Sequence, residues 1–138
     1  MVEWVQATPL APATDAEVRE HEDALRVDLP RDFLAVAQHR QGASPVPARV
    51  TLPNGFGTAV GSLLHFADGF HNIVTRRFPL EGVLEKGVIP FAEDIGGDVY
   101  CFSYREDYDH PPVVFWSVDD GAVRLAPDFT AFVAMLHD

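Results

Sequence analysis

The stretch that most constrains the fold is 88–104, which has the sequence VIPFAEDIGGDVYCFSY. Its apolar runs, 88–91 and 99–102, are rich in valine, isoleucine, tyrosine and phenylalanine, which favour a pleated, half-buried surface. Between these runs, residues 93–98 are polar and contain Gly96-Gly97, which can adopt a positive φ without a Cβ clash. The pattern predicts a central β-hairpin that carries an acidic turn.

Helix signals precede this hairpin. Thr14 and Glu17 have the spacing of a capping box, in which each side chain bonds the other residue's backbone N–H. Apolar periodicity and turn residues then predict the following order of elements: an extended segment over 1–13, a helix over about 15–26, a helix from Pro30 to a stop at Gly42, a loop over 43–47, strands over 49–52 and 57–66, and a helix from Gly69 to about Arg77 capped by Asp68.

The segments after the hairpin complete a sheet and end in a helix. Residues 105–112 form a charged loop, 113–118 a strongly apolar strand, and 122–125 a strand that follows an Asp-Asp-Gly turn. Pro127 opens a last helix with apolar residues at helical spacing. The aromatic side chains are expected mainly in the core. The prediction is one α+β domain over 1–138, with an antiparallel sheet and packed helices at both ends of the chain.

The charge restricts the kind of partner. The chain has 21 Asp+Glu against 10 Lys+Arg, a formal net charge of −11. Such a surface repels phosphate backbones and anionic lipid, which argues against nucleic acid and membrane as partners, and it favours a basic protein. The alternative, that the acidity serves only solubility, stays open.

Other features place the protein in the cytoplasm. No apolar run approaches the ~20 residues that span a bilayer, and the N-terminal segment lacks the pattern of a signal peptide. Cys101 is the single cysteine, so no intrachain disulfide can form.

Four blocks in order resemble one known family. They are 29–34 (LPRDFL) with Gly42, 89–98 (IPFAEDIGGD), 113–121 and 126–133 (APDFTAFV), and they resemble the SMI1/KNR4 (SUKH) superfamily. The resemblance implies an α+β fold and, in bacteria, an immunity protein that neutralises a polymorphic toxin by binding it. Fungal relatives are instead regulatory and signalling scaffolds, and the family offers no catalytic residues to transfer. Asp98 stands where the family often has Asn, and the tract 44–84 has no distinctive match.

Two candidate chemical sites have simpler explanations. His65, Asp68 and His71 could supply nitrogen and oxygen ligands to a metal, but a helix cap with surface histidines accounts for them more simply. The carboxylates around Gly96-Gly97 could share protons or bind a cation, but the ligand spacing of a calcium loop is missing. A solvated turn or a protein-binding edge is the preferred interpretation of that cluster.

The sequence therefore predicts a non-enzymatic protein-binding domain, without cofactor or metal, whose partner is a basic toxin domain such as a nuclease. A regulatory or scaffold protein is the alternative, and a small metal-dependent hydrolase ranks third. The predicted partner-binding residues are acidic or aromatic and lie in or near turns: Glu93, Asp94, Asp98, Tyr104, Glu106, Asp107, Tyr108, Asp109, Trp116, Asp119 and Asp120.

Overall fold

A computed structural model describes residues 2–138. The helices are α1 (Asp15–Leu25), α2 (Arg31–Ala37), a 3-10 helix (Thr75–Leu80) and α3 (Phe129–Ala134). The strands are β1 (Glu3–Val5), β2 (Ser44–Val46), β3 (Arg49–Thr51), β4 (Gly57–Leu63), β5 (Val88–Asp94), β6 (Val99–Ser103), β7 (Val113–Ser117) and β8 (Gly121–Ala126).

Strands β3 to β8 form one antiparallel sheet in which each strand pairs with the next along the chain. Strands β1 and β2 form a separate two-stranded sheet. Helices lie near both ends of the chain, and their buried side chains join those of the large sheet in one core. The predicted α+β architecture, with an antiparallel sheet and helices at both ends, is confirmed.

An aromatic cluster fills the space between helices and sheet. The Phe91 ring stacks on Phe102 with centroids 4.2 Å apart, and meets Phe33 edge-on at 5.5 Å. Phe129 and Phe132 of α3 contact the same ring edge-on. These arrangements suit the aromatic quadrupole, so the cluster adds geometric specificity to its burial energy. The expectation that the aromatic residues mainly form the core is met for this group.

The opposite face of the sheet carries a second, smaller core. Its buried members are Val88, Val99, Cys101, Val114 and Trp116, and Leu80 and Leu84 pack against them. The 3-10 helix and the turn after it therefore cover this face, which explains why β5 to β7 are buried on both sides.

Two local predictions were wrong. No α-helix covers 69–77 within the described part of the chain, because Gly69 and His71 both adopt positive φ, which a helix excludes. Asn72 instead organises a turn, since its side-chain oxygen accepts the Val74 backbone N–H at 2.8 Å. The predicted loop 43–47 contains β2, which pairs with β1 in a long-range contact that local patterns do not reveal.

The predicted capping box at α1 is confirmed and supports a stability prediction. Thr14 Oγ1 accepts the Glu17 N–H at 3.0 Å, and Glu17 Oε1 accepts the Thr14 N–H at 2.9 Å. Because Thr14→Ala leaves a helix-terminal N–H without its acceptor, we expect a loss of about 1 kcal/mol in the free energy of unfolding. Urea denaturation measures this loss, with Thr8→Ala as the control, an exposed threonine ahead of the helix. Equal losses in both variants would contradict a capping role.

Candidate protein-binding surface

The acidic turn of the central hairpin is held by a buried carboxylate. Asp94 is only 7% exposed. Its Oδ1 accepts the Tyr100 hydroxyl at 2.7 Å and the Thr58 hydroxyl at 2.8 Å, and its Oδ2 accepts the Gly96 N–H at 2.9 Å. Burial, followed by the bond to Asp94, raises the pKa of the Tyr100 phenol, which therefore stays a neutral donor. Asp94 fixes the turn and is not free to meet a partner.

Glu93 is also engaged within the protein. Its Oε2 accepts the Arg76 Nε–H at 2.8 Å, and its Oε1 contacts His71 Nδ1. Arg76 further donates to the Gly97 carbonyl at 3.2 Å, so it ties the 3-10 helix to the hairpin turn. The Glu93–Arg76 pair is shielded from solvent, and its role here is to join two chain segments.

Asp98 lies beside other carboxylates. Burial raises the pKa of its carboxyl group, and the charges of Asp94 and Asp119 add to the rise. Asp119 belongs to the turn between β7 and β8, so this turn and the β5–β6 turn meet at one end of the sheet. We call this end, with Asp98, Asp119 and Asp120 as its carboxylates, the turn end.

Because the pKa of Asp98 is raised, Asp98→Asn is predicted to stabilise the protein by an amount that depends on pH. The folded protein holds the Asp98 proton more tightly than the unfolded chain, so ionisation of this group lowers stability as pH rises from about 4 through the raised pKa. The asparagine side chain cannot ionise, so the variant does not lose this stability as the pH rises. Because Asp98 is partly exposed, we expect the variant to be more stable at pH 7 by about 0.5 kcal/mol, with the difference vanishing below pH ~4. Thermal unfolding across this pH range measures the difference, and a gap that is largest at acidic pH would refute it.

The other predicted acidic residues lie at the opposite end. Loop 104–112 joins β6 to β7 and carries Glu106, Asp107, Tyr108 and Asp109, all of them exposed. Asp107 Oδ1 accepts the backbone N–H groups of Asp109 and His110 at 3.0 and 2.9 Å, which shapes the loop. We call this region the loop end.

Two of the aromatic candidates are buried. Trp116 belongs to the smaller core, and Tyr104 lies beneath Tyr108 with its hydroxyl donating to the Asp28 carbonyl at 2.8 Å. Burial raises the pKa of the Tyr104 phenol. Of the aromatic residues in the predicted set, Tyr108 is the one whose ring is exposed.

The predicted acidic residues lie at both ends of the sheet. The five residues of β6 separate the turn end from the loop end, a distance of roughly 17 Å at the rise of a β-strand. Asp94 is internal, and Glu93 is paired with Arg76. The remaining carboxylates of the predicted set fall into two groups, Asp98, Asp119 and Asp120 at one end, and Glu106, Asp107 and Asp109 at the other.

The candidate metal ligands have other partners. His65 Nδ1 accepts the Ala67 N–H at 3.1 Å, and His71 pairs with Glu93. Burial lowers the pKa of His65. Within residues 2–138, no group of three His, Cys, Asp or Glu side chains is arranged to hold a metal ion. Cys101 is fully buried, and this burial raises the pKa of its thiol well above the usual value, as expected for an unreactive core cysteine.

Sequence reasoning missed three exposed apolar side chains at the turn end. Phe56, Ile95 and Val118 are 73%, 71% and 77% exposed, and each lies in one of the hairpin turns of the large sheet. The turn signals were visible in the sequence, but only the order of strands places the three turns at the same end. The turn end therefore carries exposed apolar side chains as well as carboxylates.

Comparison with known proteins gives one finding and one negative result. Residues 12–135 match the model of the SMI1 / KNR4 family (SUKH-1). In a comparison with curated proteins, nothing matches the chain. Within residues 2–138, no helix combines the length and the apolar character that crossing a bilayer requires.

Proposed function

We propose that this chain, which belongs to the SMI1/KNR4 family (SUKH-1), is a bacterial immunity protein that neutralises a toxin domain by binding it directly. The observation that carries the proposal is the family match, because domains of this family are generally non-catalytic and bind protein partners. The same match is compatible with a regulatory scaffold, so the experiment below has to separate the two functions.

The charge of the molecule supports a basic partner. The net charge is −11, and carboxylates are exposed at both ends of the sheet. An excess of one charge accelerates association with an oppositely charged surface and disfavours other partners. A nuclease suits such a surface, because its own cleft must be basic to attract phosphates. Binding over or beside that cleft in the cytoplasm would exclude the substrate.

Affinity capture from a lysate of the source cell, at low and at high salt, tests this proposal. The proposal predicts one stoichiometric, basic partner whose capture falls as salt rises. A variant in which four carboxylates at the two ends are neutralised is compared with the wild type and is expected to capture less of that partner at low salt. Its substitutions are Asp98→Asn, Glu106→Gln, Asp109→Asn and Asp119→Asn. Several housekeeping partners, captured equally by both proteins, would favour the scaffold and contradict immunity.

A further inference from the structure

A groove with an acidic rim lies beside the loop end. It lies between the α1–α2 connection, loop 104–112 and the start of α3, and its volume is about 720 Å³. Five apolar residues line it, of which Leu29 and Phe129 are almost fully buried: Leu29, Pro30, Pro111, Pro127 and Phe129. The larger part of the lining is thus apolar, although the surrounding surface is strongly charged.

The rim of this groove is acidic. Asp28, Asp32, Asp109 and Asp128 line it, against the single permanent cation of Arg31. The four carboxylates differ in how many hydrogen bonds and ion pairs they already make within the protein. Asp28 lies 3.6 Å from Arg19, and Asp32 accepts the N–H and hydroxyl of Thr130. The other two carboxylates, Asp109 and Asp128, are therefore the ones most able to accept hydrogen bonds from a partner.

Asp109 and Asp128 meet that description. The Asp109 carboxylate accepts no hydrogen bond from residues 2–138. Asp128 uses one oxygen, Oδ1, to accept the Ala131 N–H at 2.7 Å as the N-cap of α3. Tyr108, the exposed residue before Asp109 in the chain, also lines the groove. An aromatic ring together with carboxylate oxygens that accept no other hydrogen bond favours a cation.

We propose that this groove receives an arginine- or lysine-bearing segment of the partner protein. An apolar groove with an acidic rim fits these residues because they bury an aliphatic stem and keep a charged head near carboxylates. The inference rests on the proposed function for the nature of the partner and places the main contact at the loop end. The exposed apolar residues of the turn end are then outside the principal contact.

The test uses a probe peptide, so it does not need the partner. A blocked hexapeptide that alternates arginine and leucine is titrated into the isotopically labelled full chain, and backbone amide shifts are followed by NMR. The same peptide with glutamate in place of arginine is the control. We expect saturable shifts within 28–32, 108–111 and 127–129 for the basic peptide, and none for the acidic one.

Two double variants distinguish binding in the groove from attraction by the net charge of the protein. Asp109→Asn/Asp128→Asn removes two charges from the rim and keeps an N-cap side chain on α3, since asparagine caps as well as aspartate. Asp119→Asn/Asp120→Asn removes the same charge from the turn end. We expect peptide affinity about five- to tenfold weaker for the first pair and unchanged within about twofold for the second.

Two outcomes would overturn the inference. One is the absence of saturable shifts around the groove, and the other is an equal loss of affinity in both paired variants, which would indicate attraction by net charge alone. Neither result would contradict the separate prediction that the protein captures a toxin. A failed capture with an intact peptide response would instead reject immunity and keep the groove as a site for basic segments.

Discussion

Replacing Phe91 by alanine should be among the most damaging single changes in this protein. Phe91 is fully buried, stacks on Phe102 and meets Phe33 edge-on, so its removal leaves a cavity that α3 and the sheet cannot easily close. We expect the free energy of unfolding to fall by about 3–5 kcal/mol. Urea denaturation of the purified variant measures this fall.

The same substitution at Phe70 is the control. Phe70 is 90% exposed, so Phe70→Ala removes almost no buried contact and should change the free energy of unfolding by less than about 0.5 kcal/mol. A loss of under ~1 kcal/mol in Phe91→Ala would show that the aromatic cluster does not hold the helices to the sheet.

Replacing Asp94 by alanine is expected to cost about 2–4 kcal/mol. The carboxylate is the acceptor for the buried hydroxyl of Tyr100, for Thr58 and for the Gly96 N–H. Removing it leaves the Tyr100 hydroxyl buried without this acceptor and frees the turn. Denaturation by urea, followed by tryptophan fluorescence, measures the cost.

A double-mutant cycle tests the cause of this loss. If the Tyr100–Asp94 bond is responsible, Tyr100→Phe should cost less in the Asp94→Ala background than in the wild type, because the bond is then already lost. Asp119→Ala is the matched control, since that carboxylate is exposed at the turn end. Additive effects of Tyr100→Phe and Asp94→Ala would assign the loss to another interaction.

The sequence predicted those parts of the fold that local rules control. The hairpin of β5 and β6 follows from two apolar runs around a glycine pair, and α1 follows from a capping box. The β1–β2 pair was missed because its partners are some 40 residues apart in sequence. A helix over 69–77 was predicted because apolar spacing does not reveal that His71 takes a positive φ.

The burial of Asp94 also depends on a detail that local rules miss. The register between β5 and β6 shifts between Pro90 and Ala92, so Phe91 and Ala92 both contribute to the large core. Strict alternation would point Glu93 towards the helices and Asp94 away from them. The bulge reverses this order, so Asp94 bonds Tyr100 inside the fold, while Glu93 meets Arg76.

The sequence alone could have predicted that the acidic residues divide between the two ends of the sheet. In an antiparallel meander, successive connections alternate between the two ends of the sheet. The β5–β6 and β7–β8 turns therefore share one end, and loop 104–112 lies at the other. A set of carboxylates drawn from both kinds of connection therefore spans the length of the strands, although Glu106 and Asp120 line one surface pocket. The sequence-based interpretation already took the strands as a meander, but it did not follow the connections to the two ends of the sheet.

The most direct test of the central claim is growth of cells that express the captured partner with and without this chain. The partner alone should stop growth, and wild-type protein should restore it. An unrelated acidic protein of similar size and charge is the control and should not rescue growth. A partner that is harmless alone, or a growth arrest that persists although the complex forms, would contradict toxin neutralisation.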